Sequence, residues 1–350
     1  MKAYLILENG KVFCGESFGA VTEEMGEIVF STSMGSYIEA LTDPCYLGQI
    51  LVQTYPLIGN YGMIYSDMES SKIHVKGYIV REICDTPSNF RCEGNLEKFL
   101  EEQGVMGISG IDTREITKII REEGTMKAII TTKSPESVSF GDLDTKTAVK
   151  DVSTKEKYTV GDGEKKIALL DLGTTKSAVN ALAKRGASVT VLPCDTKADG
   201  LSAYDALYIS DGPGNPDDCG EIINTIKAVF GKLPIFATGL GHQILAMANG
   251  AKCEKLTYGH HGANQPVKQL SSGRVYITSQ NHCYAVKSDT LPKNAQVTYE
   301  NLNDKSCEGI DYSADNAFSI QFRPIEGDGP NETGFLYEKF FEMIGGTANA

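Results

Sequence analysis

The feature that most restricts the fold lies in the second half of the chain. Lys166–Leu172 reads KIALLDL, and similar runs follow at Ser188–Leu192, Ala206–Ser210 and Leu233–Ala237. None of them alternates polar with apolar residues, so each is a strand buried on both faces. Between them lie helical patterns. Lys176–Arg185 is stopped by Gly186, Asp217–Phe230 carries Ile222, Ile223, Ile226 and Phe230 at helical spacing, and a third helix begins near Gly241 and ends at Asn249. Buried strands joined by helices predict a parallel sheet in a doubly wound α/β domain. Ligands of such sheets bind outside the carboxyl ends of the strands. The loops at 173–175, 211–215, 238–240 and 323–326 are therefore the candidate site loops.

The first half has a different grammar. Strand patterns dominate at Ala3–Leu7, Lys11–Phe13, Glu27–Ser31, Gln49–Thr54 and Ile73–Ile83. Helix signals gather only at its end, in IDTREITKIIREEG. There Asp112 and Glu115 have capping-box spacing, Ile116, Ile119 and Ile120 form one stripe, and Gly124 supplies a stop. Between the halves, residues 151–165 are polar and Gly-containing. We read a mostly β domain over 1–150, a linker over 151–165 and the α/β domain over 166–350, which suits a 350-residue chain too long for one ordinary core.

Charge and composition remove several function classes. With 46 acidic against 33 basic side chains the net charge is −13, which repels nucleic acid and anionic membrane surfaces. No apolar run approaches the roughly 20 residues of a membrane span, and the N-terminus has no readable signal peptide. Nine cysteines without a CxxC pair predict reduced thiols in the cytosol rather than a disulfide framework or zinc site.

Two of the candidate loops carry recognisable chemistry. PIFATGLGHQ, Pro234–Gln243, is strand, sharp turn and helix start, the form of a nucleophile elbow. SDGPGNP, Ser210–Pro216, is a Gly-Pro-Gly turn after another strand, suited to presenting backbone N–H groups to an anion or oxyanion. Taken alone, each has the plainer reading of a tight βα loop, which is the favoured one for a lone Gly-Pro-Gly turn.

Together with longer stretches they resemble the small subunit of carbamoyl-phosphate synthase, the glutamine-hydrolysing partner of a large ATP-using subunit. The likeness runs through Gly26–Gly62 and Gly107–Met126 in the first half. In the second it rests on ISDGPGNP, GLGHQ, YGHHGANQPV, TSQNHCYAV and FSIQFRP. The resemblance implies a mostly β N-terminal domain that docks the large subunit, followed by a class I glutaminase domain. It also implies a cytoplasmic role in pyrimidine or arginine synthesis. ATP and magnesium would be handled by the large subunit, with no cofactor or metal in this chain.

The departures concern the reaction itself. A glutaminase of this class uses a Cys–His–Glu triad, in which a thiolate attacks the amide carbon, His moves protons and Glu orients the His. Where the family elbow G-x-C-x-G-H-Q has Cys, this chain has Gly239. Where the family's Q-Y-H-P-E segment has His and Glu, QFRPIE has Arg323 and Ile325, and Glu326 falls one residue late. Glutaminase activity is therefore expected to be lost, leaving a structural or regulatory subunit of an ammonia-dependent synthase. The family's glutamine-pocket positions map onto Cys45, Gly212, Gly214, Leu240, Gln243, Asn281, Cys283 and Tyr284, with the family carrying Ser and Gly where Cys45 and Cys283 stand. A substitute nucleophile at Cys45 or Cys283 would need the site rebuilt around it. Arg323 would either attract a small anion by a bidentate contact or face solvent or a nearby acid such as Glu326. The first option opens a second reading, a stand-alone protein that binds a small anion. His260, His261 and His282 are expected to be structural.

Overall fold

The computed structural model describes residues 1–201, 203–324 and 331–345, and divides into two compact units. The first comprises Met1–Thr145 and Thr257–Gly262, the second Lys146–Leu256 and Ala263–Ala350.

In the first unit β1 (Lys2–Leu7), β2 (Val12–Gly19), β3 (Glu24–Ser31), β4 (Gln49–Gln53), β6 (Gly77–Ile79), β8 (Met106–Ser109) and β9 (Met126–Thr131) close a barrel in the order β1-β2-β8-β6-β4-β3-β9. The strand expected over 73–83 breaks in two. Its end, β7 (Glu82–Ile83), leaves the barrel and pairs with β5 (Leu57–Ile58). Alternate residues of the barrel strands, among them Leu5, Leu7, Ile28, Phe30, Ile50, Val52 and Ile108, share one core. Helix α1 (Tyr37–Thr42) and helix α2 (Leu96–Glu102) join α3 (Thr113–Glu123), so helices are not confined to the end of this half. Helix α3 matches its sequence signature. Asp112 accepts from the N–H groups of Arg114 and Glu115 at 3.1 and 3.0 Å, and Ile116, Ile119 and Ile120 face the barrel core.

The segment Thr257–Gly262, assigned by sequence to the second domain, is bound into this unit. The Thr125 N–H donates to the Thr257 carbonyl at 2.9 Å, and Tyr258 packs against the barrel core.

The second unit opens with α4 (Ala148–Val152) and β10 (Tyr158–Val160). Residues 151–165, expected as a linker, thus include an edge strand, because β10 pairs antiparallel with β12 (Ala187–Pro193). Strand β11 (Lys165–Asp171), β12, β13 (Ala206–Ile209), β14 (Ile235–Thr238) and β19 (Ala317–Ile320) pair in parallel in the order β12-β11-β13-β14-β19. That order is a doubly wound α/β sheet. Beyond β19 the sheet continues antiparallel through β18 (Cys307–Tyr312), β16 (Val275–Val286), β15 (Cys253–Gln269) and β17 (Gln296–Asn301).

Both faces of the parallel strands are covered, as their unbroken apolar runs require. Ala168, Leu170, Leu207, Ile209, Ile235 and Ala237 pack with α7 (Gly220–Val229) and α8 (Leu240–Ala248). Ile167, Leu169, Tyr208 and Phe236 pack with α5 (Lys176–Ala183) and α9 (Phe335–Gly345) on the other side. A single turn, α6 (Ala198–Leu201), precedes β13. No helix among the described residues is long and apolar enough to cross a membrane.

Candidate active site

Three neighbouring strands, β13, β14 and β19, end at the same edge of the sheet. Just past their ends lie Asp211, Gly239 and Arg323. Gly239 forms the turn between β14 and α8 with φ 52° and ψ −119°, a region that L side chains occupy only under strain. The elbow is intact. The Gly239 N–H donates to the Ile320 carbonyl at 3.0 Å, and its own carbonyl accepts from the Gln243 N–H at 3.3 Å.

The space beside Gly239 is filled by Asp211. A Cβ placed on Gly239 would overlap Oδ1 and Cγ of that carboxylate. Oδ1 accepts from two backbone N–H groups, Gly212 at 2.8 Å and Leu240 at 2.9 Å. Oδ2 accepts from Arg323 Nε at 3.1 Å. The side chains of Asp211 and Arg323 are 11% and 8% exposed, so this is a buried ion pair with little solvent screening. The Arg323 backbone is held as well, its N–H donating to the Ser279 carbonyl at 3.0 Å.

The neighbouring loop is braced in the same way. Asp171, at the end of β11, accepts from the N–H groups of Gly173, Thr174 and Thr154. Burial nevertheless raises its carboxyl above the ordinary carboxylate range. Behind the elbow, His242 is fully buried against Ser319, Nδ1 to Oγ 2.8 Å, and burial lowers its pKa to about 3.

Comparison with known proteins assigns the chain. Residues 5–130 match the carbamoyl-phosphate synthase small chain, CPSase domain, and residues 168–343 match glutamine amidotransferase class-I. The carbamoyl phosphate synthase small chain of Clostridium perfringens is 46% identical over 348 residues, covering 98% of this chain and 99% of that one. Those of Archaeoglobus fulgidus and Listeria monocytogenes are 44% and 43% identical, over 98% and 99% of this chain and 99% and 97% of theirs. The chain belongs to the carbamoyl-phosphate synthase small chain family.

Within a carbamoyl-phosphate synthase small chain, the positions mapped from the family motifs fall in both units. Cys45 lies in the first, buried in the turn Pro44–Tyr46, where its N–H donates to Asp43 Oδ1 at 2.9 Å. The others lie in the second. Gly212 and Gly214 form the loop after β13, and Gly212 passes so close to the Leu172 carbonyl that a Cβ would overlap it. Leu240 and Gln243 open α8, while Asn281, Cys283 and Tyr284 lie on β16. Gln243 is engaged within the protein, its Nε2 donating to the Tyr284 carbonyl at 2.8 Å and to Gln321 Oε1 at 3.0 Å. His282 is fixed on its own strand, Nδ1 to the Tyr284 carbonyl at 2.8 Å and Nε2 to Gln280 Oε1 at 2.9 Å. Gln280 in turn bonds Glu308, a fully buried carboxylate also held by Asn301.

Arg323 does not face solvent. It pairs with Asp211, across the sheet edge, and the acid proposed from sequence, Glu326, lies with Ile325 outside the described residues. Asp211 is the residue that sequence reasoning passed over. The SDGPGNP motif points to its glycine N–H groups and assigns no role to the acid within it. The signal was available as a combination: an acid and an Arg at the ends of two strands flanking an elbow with no side chain.

Proposed function

We propose that this small chain serves its synthase as a structural and regulatory subunit without hydrolysing glutamine. In this role it docks the large subunit in the cytoplasm through its barrel unit. Carbamoyl phosphate is then made from free ammonia, bicarbonate and ATP, with ATP and magnesium bound by the large subunit. By family likeness the product feeds pyrimidine or arginine synthesis. The observation that carries this reading is the geometry at Gly239. The position that would carry the attacking thiolate has no side chain, and a carboxylate that is no substitute nucleophile for an amide stands in its space. At position 323 a guanidinium, permanently protonated, replaces a base able to accept the thiol proton. Loss of the nucleophile or base from such a unit lowers kcat by about 10⁶.

The pairing of Arg323 also bears on the alternative of a stand-alone anion sensor. An incoming anion would have to displace an anion that the chain already supplies, which favours the subunit reading.

The test is ammonia release from glutamine, by the purified chain alone and with its large subunit, alongside carbamoyl phosphate formation from ammonia and from glutamine. Ammonia-driven synthesis with no hydrolysis is expected. Hydrolysis above background would overturn the proposal and direct mutagenesis to Cys283 and Cys45.

A further inference from the structure

In a nucleophile elbow, the backbone N–H of the residue after the nucleophile stabilises the oxyanion that forms on the substrate. Here that residue is Leu240, and its N–H is not open to a substrate. It donates to Asp211 Oδ1 at 2.9 Å, and the Gly212 N–H donates to the same oxygen at 2.8 Å. One carboxylate oxygen thus rests on two converging backbone donors at the start of α8. The other oxygen holds the buried guanidinium of Arg323.

We infer that Asp211 is a built-in occupant of the oxyanion cradle, locked there by Arg323, so that the site is closed to acyl ligands, glutamine included. This rests on the reading of the site as a glutaminase site without its chemistry, and it goes further. A pocket that had lost only its nucleophile would still bind glutamine and hold it idle. A cradle filled from within binds none, so the chain does not sequester the amide donor. Three features act as one unit in this arrangement. Gly239 leaves the space, Asp211 enters it, and Arg323 compensates the charge that entry buries. The absent side chain at Gly239 is then a requirement of the closed state, since any Cβ there would collide with the occupant.

The arrangement also predicts a latent carboxylate site. Truncating Asp211 to Ala would leave two aligned N–H donors and a buried guanidinium facing a space the size of a small carboxylate. Formate is the matching probe.

The experiment uses the full chain. Calorimetric titration of the unmodified protein with glutamine is expected to give no binding. Asp211→Ala is expected to melt at lower temperature and to recover most of that loss with formate, saturably. Chloride at equal ionic strength should not do the same, nor should formate act on Asp211→Ala/Arg323→Ala. Glutamine binding by the unmodified chain would overturn the inference, as would formate raising the Tm of the unmodified chain as much as that of Asp211→Ala. Should Asp211→Ala fail to fold even in formate, the glutamine titration alone decides. Binding without ammonia release would sink this inference and leave the proposed function standing, whereas ammonia release would sink both.

Discussion

Asp211 and Arg323 are 112 residues apart in sequence and meet at 3.1 Å over the elbow glycine, one at the end of β13 and the other just past β19. Both side chains are almost fully withdrawn from water. Opposite charges in this setting depend on each other far more than a surface pair would.

Removing Arg323 takes the cation away from a buried carboxylate. Arg323→Met is expected to lower unfolding stability by about 3–5 kcal/mol, whereas Asp211→Asn/Arg323→Met, which removes both charges, should recover most of it. Urea denaturation of the two single variants and the double variant measures the coupling. Additive losses would show that the pair does not act as a pair.

Gly239→Ala introduces strain at φ 52°, on the order of 1–3 kcal/mol, and adds to it a collision with Asp211. The same substitution made in Asp211→Ala should be less harmful, because one of the two penalties is gone. Equal losses in both backgrounds would refute the steric account. Gly239→Cys is expected to release no ammonia from glutamine, since position 323 provides no base.

Acid should weaken the fold through its buried histidines. Burial lowers His242 to about 3 and His74 to about 4, against an ordinary value of 6.5. Between pH 6.5 and those values the unfolded chain takes up protons that the folded chain refuses. Stability is therefore full above pH 6.5 and falls as the pH drops, by up to about 1.4 kcal/mol per pH unit for each histidine. His242→Leu should flatten the slope of unfolding free energy against pH below 6.5. An unchanged slope would mean that His242 is protonated in the folded state.

Thiol reactivity should follow burial. Cys219, Cys253 and Cys307 are pushed up to about 12, so little thiolate is present at pH 8, while Cys14 is exposed. Brief native alkylation read by mass spectrometry is expected to mark Cys14 and spare the other three. Early labelling of Cys307 would contradict the burial of that strand.

The buried strands of the second unit, its helices, the cap of α3 at Asp112 and the absence of Cys and His from the expected triad positions are all legible in the amino-acid order. These are local facts. A strand covered on both faces must be apolar throughout, and a missing nucleophile is visible wherever its motif is. What those residues touch is set by the folded arrangement. Nothing local to SDGPGNP says that its acid fills the space beside Gly239, or that its counter-ion comes from QFRP. The same holds for β10, which reads as a linker until β12 gives its N–H and C=O groups a partner, and for Thr257–Gly262, which belongs to the barrel unit and whose Thr257 carbonyl accepts from Thr125. Periodicity records that a face is buried but not against which partner. The partner is set by how strands register and which of their ends the folded sheet brings side by side.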